Sequence, residues 1–330
     1  MKQSLFFLLF LFSLTTYSQS AKDKGLQTIN KRNAEAYISF LASDALEGRQ
    51  AGCRGGRIAA EYIASQLQTI GIPSYRETYF QHFEAYKPEG RKRYSVNPDS
   101  IAKWTAGKVL SKINLQNVFG FIEGKKSDEF VIVGAHYDHL GIGEAVNGDS
   151  IYNGADDNAS SVSAVLQIAK AFVESGQQPE RTVIFAFWDG EEMGLLGSEY
   201  FMLNYPNPFQ IKAYLNFDMI GRNKDESNPE HVVFFFTDSH PAFGEWLKND
   251  IQDYGLKLKP NYRPWDKPVS GSDNGSFAKR GVPIMWYHTD GHPDYHKPSD
   301  HVDKINWNKL VDITKAAYLN VWNLANLDTY

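Results

Sequence analysis

Cysteine is nearly absent from this sequence. Cys53 is the only one in 330 residues, which excludes an intrachain disulfide and leaves stability to the core or to bound metal. Positive charge is not in excess either: 34 Lys and Arg residues face 39 Asp and Glu, a net charge of −5. Apart from Arg91–Arg93 the basic residues are scattered, so no basic surface is available for nucleic acid. Apolar runs of membrane-spanning length are also missing. The N-terminal run from Leu5 to Leu14 reaches only about half of the ~20 residues that a helix needs to cross a bilayer. The chain shows no internal repeat and no low-complexity segment.

What is present is a 42% hydrophobic, 22% charged composition, that of a globular chain with a substantial core. Lys2, the short apolar run and the small polar residues up to Ser20 have the pattern of a secretory signal peptide. Residues 1–20 are therefore expected to be removed. Residues 21–330 are then an exported domain, periplasmic or extracellular, with no stable membrane insertion once the signal is gone.

NAEAYISFLASDALEG and RGGRIAAEYIASQLQTIG carry apolar residues at helical spacing and end at glycine. The glycine-rich GRQAGCRGG between them lacks the order of a phosphate-binding loop and reads as turn chemistry. SYRETYFQHFEAY reads as a strand, and the polar stretch 87–108 as a short surface insertion. From Asn117 onward, short apolar strands alternate with helices expected from about Ala159, Met193, Ala242 and Asn306. The fold class expected is a single α/β domain, a mostly parallel mixed β-sheet sandwiched by helices.

Four of the strands end in residues that bind metals or move protons. VIVGAHYDH ends in His136 and Asp138, VIFAFWDGEE in Glu191 and Glu192, YLNFDM in Asp218, and PIMWYHTDGHPDYH runs on to His296. Ligands of open α/β sheets bind at the carboxyl ends of strands, so the four clusters point to one site. A lone histidine is ordinarily a hydrogen-bonded loop residue, and glutamates at a helix start ordinarily complement the helix dipole. Asp218, however, lies in an apolar run where an unpaired carboxylate is costly to bury. Imidazoles and carboxylates without thiolates suit Zn²⁺ or another divalent transition metal in a catalytic setting. Two such ions ~3.5–4 Å apart need a bridging carboxylate.

GAHYDHLG, NGADDNAS, WDGEEMGLLGS, NFDMIG and DYHKPSDH occur in the order and spacing of the co-catalytic di-zinc aminopeptidases of clan MH, relatives of bacterial leucyl aminopeptidases and glutamate carboxypeptidase. The sequence resembles that family over residues 34–326. With only the 87–108 insertion it resembles a compact member without a protease-associated domain. The resemblance implies two Zn²⁺, with His136 and Asp218 on one, Glu192 and His296 on the other, and Asp156 bridging. It further implies Glu191 as general base for a metal-activated water, Asp138 as the carboxylate orienting His136, and Tyr295 as donor to the tetrahedral oxyanion. A cis Asp156–Asp157 peptide, with Asp157 in a supporting hydrogen bond and Asn158 or Ser160 starting the helix, belongs to the same expectation.

Two departures from the family pattern are visible. Ser161 replaces a frequent glycine, and Asn274 stands where relatives often have histidine in a substrate-pocket loop. The activity expected is secreted, zinc-dependent removal of N-terminal residues from peptide substrates. A glutaminyl-peptide cyclase with one zinc, a carboxypeptidase or dipeptidase with the same metal set, and a non-catalytic binding protein on the same fold are the alternatives. Arg222 could serve a substrate carboxylate or sit on the surface. Phe277, Trp286 and Tyr287 could line an apolar pocket or the core.

Overall fold

The apolar strands alternate faces, and each face finds its own core. The computed structural model describes residues 19–105, 109–205, 207–265 and 270–330. All but the last two residues of the expected signal segment lie outside them. The chain runs through α1 (Ala21–Leu26), α2 (Lys31–Leu41), α3 (Arg54–Ile70), β1 (Phe80–Pro88), α4 (Pro98–Thr105), β2 (Leu110–Ile122) and β3 (Lys126–His136). The hairpin β4 (Gly141–Val146) and β5 (Asp149–Tyr152), α5 (Ser161–Ser175), β6 (Arg181–Trp188), α6 (Leu196–Leu203) and β7 (Ile211–Phe217) follow. The last elements are β8 (His231–Phe236), α7 (Ala242–Asp253), β9 (Lys259–Pro264), α8 (Asn274–Ala278), β10 (Ile284–His288) and α9 (Trp307–Asn326).

Eight strands form one mixed sheet in the order β1-β2-β6-β3-β7-β10-β8-β9. The four central strands β6, β3, β7 and β10 are mutually parallel, while β1, β2 and β8 add antiparallel pairings toward the edges. Along β6, Val183, Phe185 and Phe187 join the larger core with α5 and α9, and Ile184, Ala186 and Trp188 join a second core with Phe201 of α6 and Phe277 of α8. This period of two is what a strand buried on both faces requires. Helices thus cover both faces, as expected.

Local chemistry sets the helix ends. Asn30 caps α2 through its side chain, Asn306 does the same for α9, and Gly71 and Gly176 close α3 and α5 in the left-handed region. Three starts or stops differ from the sequence reading. Helix α2 ends at Leu41 rather than at Gly48, because Ser43 is extended and its hydroxyl donates back to the Phe40 carbonyl. Residues 44–49 then form an irregular turn that carries Arg49 inward. α5 and α6 begin two and three residues later than expected, since residues 155–160 form a separate, kinked π-helical turn and 189–195 a loop, both presenting acidic side chains. Of the 87–108 stretch, residues 106–108 lie outside the described residues; the rest bears α4, none of whose residues is buried, while Val96 packs with Phe83, Ala85 and Leu115. Among the described residues no helix is long and apolar enough to cross a membrane.

Candidate metal centre

Because β3, β6, β7 and β10 are parallel and in register, their carboxyl ends lie along one edge. His136 is the last residue of β3 and pairs with Trp188 at the end of β6. Asp218 follows β7, and the 289–301 loop follows β10. The expectation of one shared site for these four strand ends holds in the geometry. His136 Nε2 lies 3.7 Å from Asp218 Oδ1 and 3.4 Å from Asp157 Oδ1. His296 Nε2 lies 3.2 Å from Asp157 Oδ2 and 3.4 Å from Glu192 Oε2. A cavity of about 240 Å³ opens over these groups, lined also by Glu191, Trp286 and Tyr295. A larger cavity, about 620 Å³, lies around Lys257, Asn308 and Asp312 and has no imidazole in its wall, so size alone does not locate the site.

The bridging assignment made from the sequence is corrected by this geometry. Asp157, not Asp156, lies between the two imidazoles. Asp156 turns away: its Oδ1 accepts the Gly221 amide at 2.6 Å, and its Oδ2 is 3.4 Å from His292 Nε2. The cis peptide is likewise one residue further on, at Asp157–Asn158. Asp157 (φ −103°, ψ 89°) and Asn158 (φ −134°, ψ 33°) break the helical turn of residues 155–160, and the two adjacent aspartates point to different sides of it. Sequence order does not say which one faces the cluster. Helix α5 is preceded by Ser160, whose hydroxyl donates to the Asp156 carbonyl rather than capping an amide.

The other expected residues divide between the cavity and its support. Glu191 lines the cavity within 4.8 Å of His136 and Asp218, atom to atom. Asp138 is fully buried; its backbone carbonyl faces His136 Nδ1 at 3.1 Å, while its carboxylate accepts the Glu191 amide at 3.0 Å and the Glu192 amide at 3.4 Å. The same carboxylate also lies 3.7 Å from His136 Nδ1, so Asp138 faces both the imidazole and the two glutamates. Tyr295 is 43% exposed at the cavity rim, its ring stacked 3.8 Å from His296. Asn274 is buried at the start of α8, outside the cavity wall. Arg222 is buried against Asp294 at 2.8 Å rather than on the surface, and does not line the cavity either. Trp286 is a wall residue, whereas Phe277 and Tyr287 are core.

Three participants escaped the sequence reading. His139, the second histidine of HYDH, places Nδ1 2.8 Å from Glu192 Oε1. Arg49 and Asp300 hold the backbone around Asp157. Repetition within HYDH and the aspartate of KPSDH were the only available signals.

The electrostatics call for cations. Burial, with Glu192 nearby, raises the Asp157 carboxyl, and burial pushes Glu191 well above the ordinary carboxylate range against the pull of His136. Burial opposes the His296 imidazolium, yet hydrogen bonds to Asp157 and Glu192 push it up to about 10. The spacing fits metal as well. Tetrahedral bonds of ~2.0–2.1 Å put ligand atoms ~3.3–3.4 Å apart, close to the 3.2–3.7 Å separations here. His139 Nδ1 lies 3.7 Å from Asp157 Oδ2 and 2.8 Å from Glu192 Oε1; the second is a hydrogen bond, which makes it a holder of Glu192. Met219 and His296, both in the cavity wall, have φ of 55°; left-handed non-glycine residues clustered around a cavity are characteristic of functional sites.

A buried carboxylate–imidazole centre at the parallel edge of an α/β sheet, with a further carboxyl beside it, defines a metal-dependent hydrolase. Comparison with known proteins gives the family. The model of peptidase family M28 matches residues 117–321, more than half of the chain, and the chain belongs to that family. Leupeptin-inactivating enzyme 1 of Streptomyces exfoliatus is 26% identical over 320 residues, covering 88% of this chain and 61% of that protein. A probable leucine aminopeptidase of Arthroderma otae is 29% identical over 282 residues, 82% of this chain and 74% of that protein. The chain thus spans less than two thirds of the length of some curated relatives. Among solved structures, the aminopeptidase from Aneurinibacillus sp. strain AM-1 superposes with a TM-score of 0.68 at 16% identity, over 92% of this chain and 96% of that one. That likeness is one of fold.

Proposed function

We propose that residues 21–330 form the catalytic domain of an exported, two-zinc exopeptidase that removes residues from the N-termini of peptides. The observation that carries this reading is the position of Asp157, one oxygen toward His136 and the other toward His296. His136, Asp218 and one Asp157 oxygen would hold one ion; His296, Glu192 and the other oxygen would hold the second. Membership of family M28 supports peptide-bond hydrolysis, and the aminopeptidase relatives support the N-terminal end as its target. Zinc, when bound, supplies Lewis-acid polarisation and a lowered pKa for water.

The chain's own groups do the rest. The Glu191 carboxylate takes a proton from the attacking water and returns it to the leaving amine nitrogen. Its place in the cavity wall beside His136 and Asp218 suits both transfers, and the Asp138 carboxylate fixes its backbone. The Tyr295 hydroxyl at the cavity rim donates to the developing oxyanion. Trp286 and Met219 give the first side chain of the substrate an apolar wall. The zinc-loaded protein is expected to hydrolyse leucyl-p-nitroanilide and to leave its N-acetyl derivative intact. Equal rates on the two would sink the aminopeptidase assignment. One tight zinc per chain, together with cyclisation of an N-terminal glutamine peptide, would put a glutaminyl cyclase in its place.

A further inference from the structure

We propose that Arg49 and Asp300 are positioning residues that clamp the loop bearing Asp157, so that its carboxylate stands between His136 and His296 before zinc arrives. The proposal rests on the two-zinc reading above. Arg49 is 1% exposed, and among the described residues no carboxylate accepts from it. Its Nε donates to Tyr137 O at 2.9 Å; Nη1 donates to Leu41 O at 2.5 Å and Asn153 O at 2.6 Å; Nη2 donates to Gly154 O at 2.9 Å and Asp157 O at 3.4 Å. A guanidinium has five N–H donors, and all five are used on main-chain carbonyls. Three of those carbonyls belong to the 153–157 loop.

Asp300, also 1% exposed, takes the opposite polarity of the same loop. Its Oδ2 accepts the amides of Asp156 at 3.0 Å and Asp157 at 3.1 Å, and its carbonyl accepts the Ala155 amide at 3.0 Å. The loop's acceptors are held by a cation and its donors by an anion. Gly154 makes so tight a path feasible: its φ is +58°, and a Cβ there would lie 2.1 Å from the Asp157 carbonyl oxygen. The clamp also links the elements that carry the other ligands. Tyr137 follows His136 directly, and Asp300 lies four residues beyond His296 in the same loop. Without such a hold, repulsion between Asp157 and Glu192 would spread the metal-free centre. Charge-assisted hydrogen bonds to a buried, fixed peptide resist that spreading.

Two measurements test this on the full chain. In the zinc-stripped wild-type protein the amides of Asp156 and Asp157 should exchange with solvent as slowly as those in the middle of β3; exchange as fast as in the exposed 89–93 turn overturns the proposal, whatever the variants do. Zinc titration of stripped Arg49→Lys and Asp300→Asn should show affinity reduced about 10- to 100-fold, and the reloaded variants should lose kcat with KM unchanged. The control is Arg181→Lys, a buried arginine bonded to Glu129 and the Leu324 carbonyl, expected to cost stability without altering zinc affinity. Wild-type uptake of zinc with unchanged affinity in both variants overturns the clamp alone. A wild-type chain that takes up no zinc overturns the metal-centre reading and the clamp with it. If neither variant folds, the exchange measurement decides.

Discussion

Asp156 and Asp157 are covalent neighbours, both buried, and face two different polar regions. Asp157 looks into the cavity, where His136 and His296 approach its two oxygens and Glu192 and Asp218 complete the surroundings. Asp156 looks behind the loop, toward the Gly221 amide and His292, with Arg222 and Asp300 close by. In the first region negative charge exceeds what the imidazoles balance, and the excess opens onto a cavity an ion can enter. In the second, the Gly221 amide donates to Asp156 and the Arg222 guanidinium lies 3.9 Å from Asp300, and the groups are buried away from solvent. One residue type thus serves as ligand or as brace according to what lies opposite and whether solvent can reach it.

The sharpest way to break this contrast is to neutralise each aspartate in turn. Asp157→Asn should abolish stoichiometric zinc uptake and with it the zinc-dependent activity, as loss of a group shared by both ions demands. Asp156→Asn should keep the zinc while losing about 1–3 kcal/mol of stability from its buried hydrogen bonding. Zinc analysis beside urea unfolding separates the two, and equal zinc loss in both variants would erase the distinction.

Within the cavity region, Glu191→Gln should lower kcat by ~10²–10⁴ with zinc content unchanged. Loss of zinc instead would make Glu191 a ligand rather than the base. Tyr295→Phe should follow with a fall of ~10²–10³ in kcat and little change in KM, measured on the same nitroanilide. Full turnover in that variant would leave Tyr295 as a packed aromatic on His296.

A third buried carboxylate calibrates both regions. Asp250 on α7 has Asn320 Nδ2 at 3.4 Å, and burial pushes its carboxyl up to about 7. Its folded pKa lies above the unfolded value near 3.9. The stability it contributes is therefore complete below about pH 4 and is lost as pH rises through about 7. Asp250→Asn should be the more stable protein at pH 8.5, by on the order of 2 kcal/mol, and the gap should close toward pH 4. Urea titrations of zinc-free protein at the two pH values check this. A gap that widens on acidification would mean Asp250 is held as a carboxylate by contacts of the kind around Asp156.

Much of the site was legible because its residues lie at the ends of apolar strands. His136, Glu191, Glu192 and Asp218 follow runs that can only be buried strands, and parallel strands bring their carboxyl ends together. His296 was legible through the acidic and histidine-rich loop after the last strand. Arg49 was not. It sits in a glycine-rich turn whose composition speaks only of backbone freedom, and its five acceptors come from residues 41, 137, 153, 154 and 157. Asp300 was visible in KPSDH, but nothing local connects it to amides more than 140 residues earlier.

The sequence by itself determined the α/β class, the two-faced burial of the central strands and the pool of ligand-type side chains. These follow from apolar periodicity and from residue chemistry, both local properties. The tertiary structure decided which aspartate of NGADDNAS faces the cavity, which histidine of HYDH approaches Glu192, and what holds the loop between them. Side-chain direction in an irregular loop depends on backbone torsions set by distant partners. Arg49 and Asp300 supply those partners, and they meet the loop only once the chain has folded.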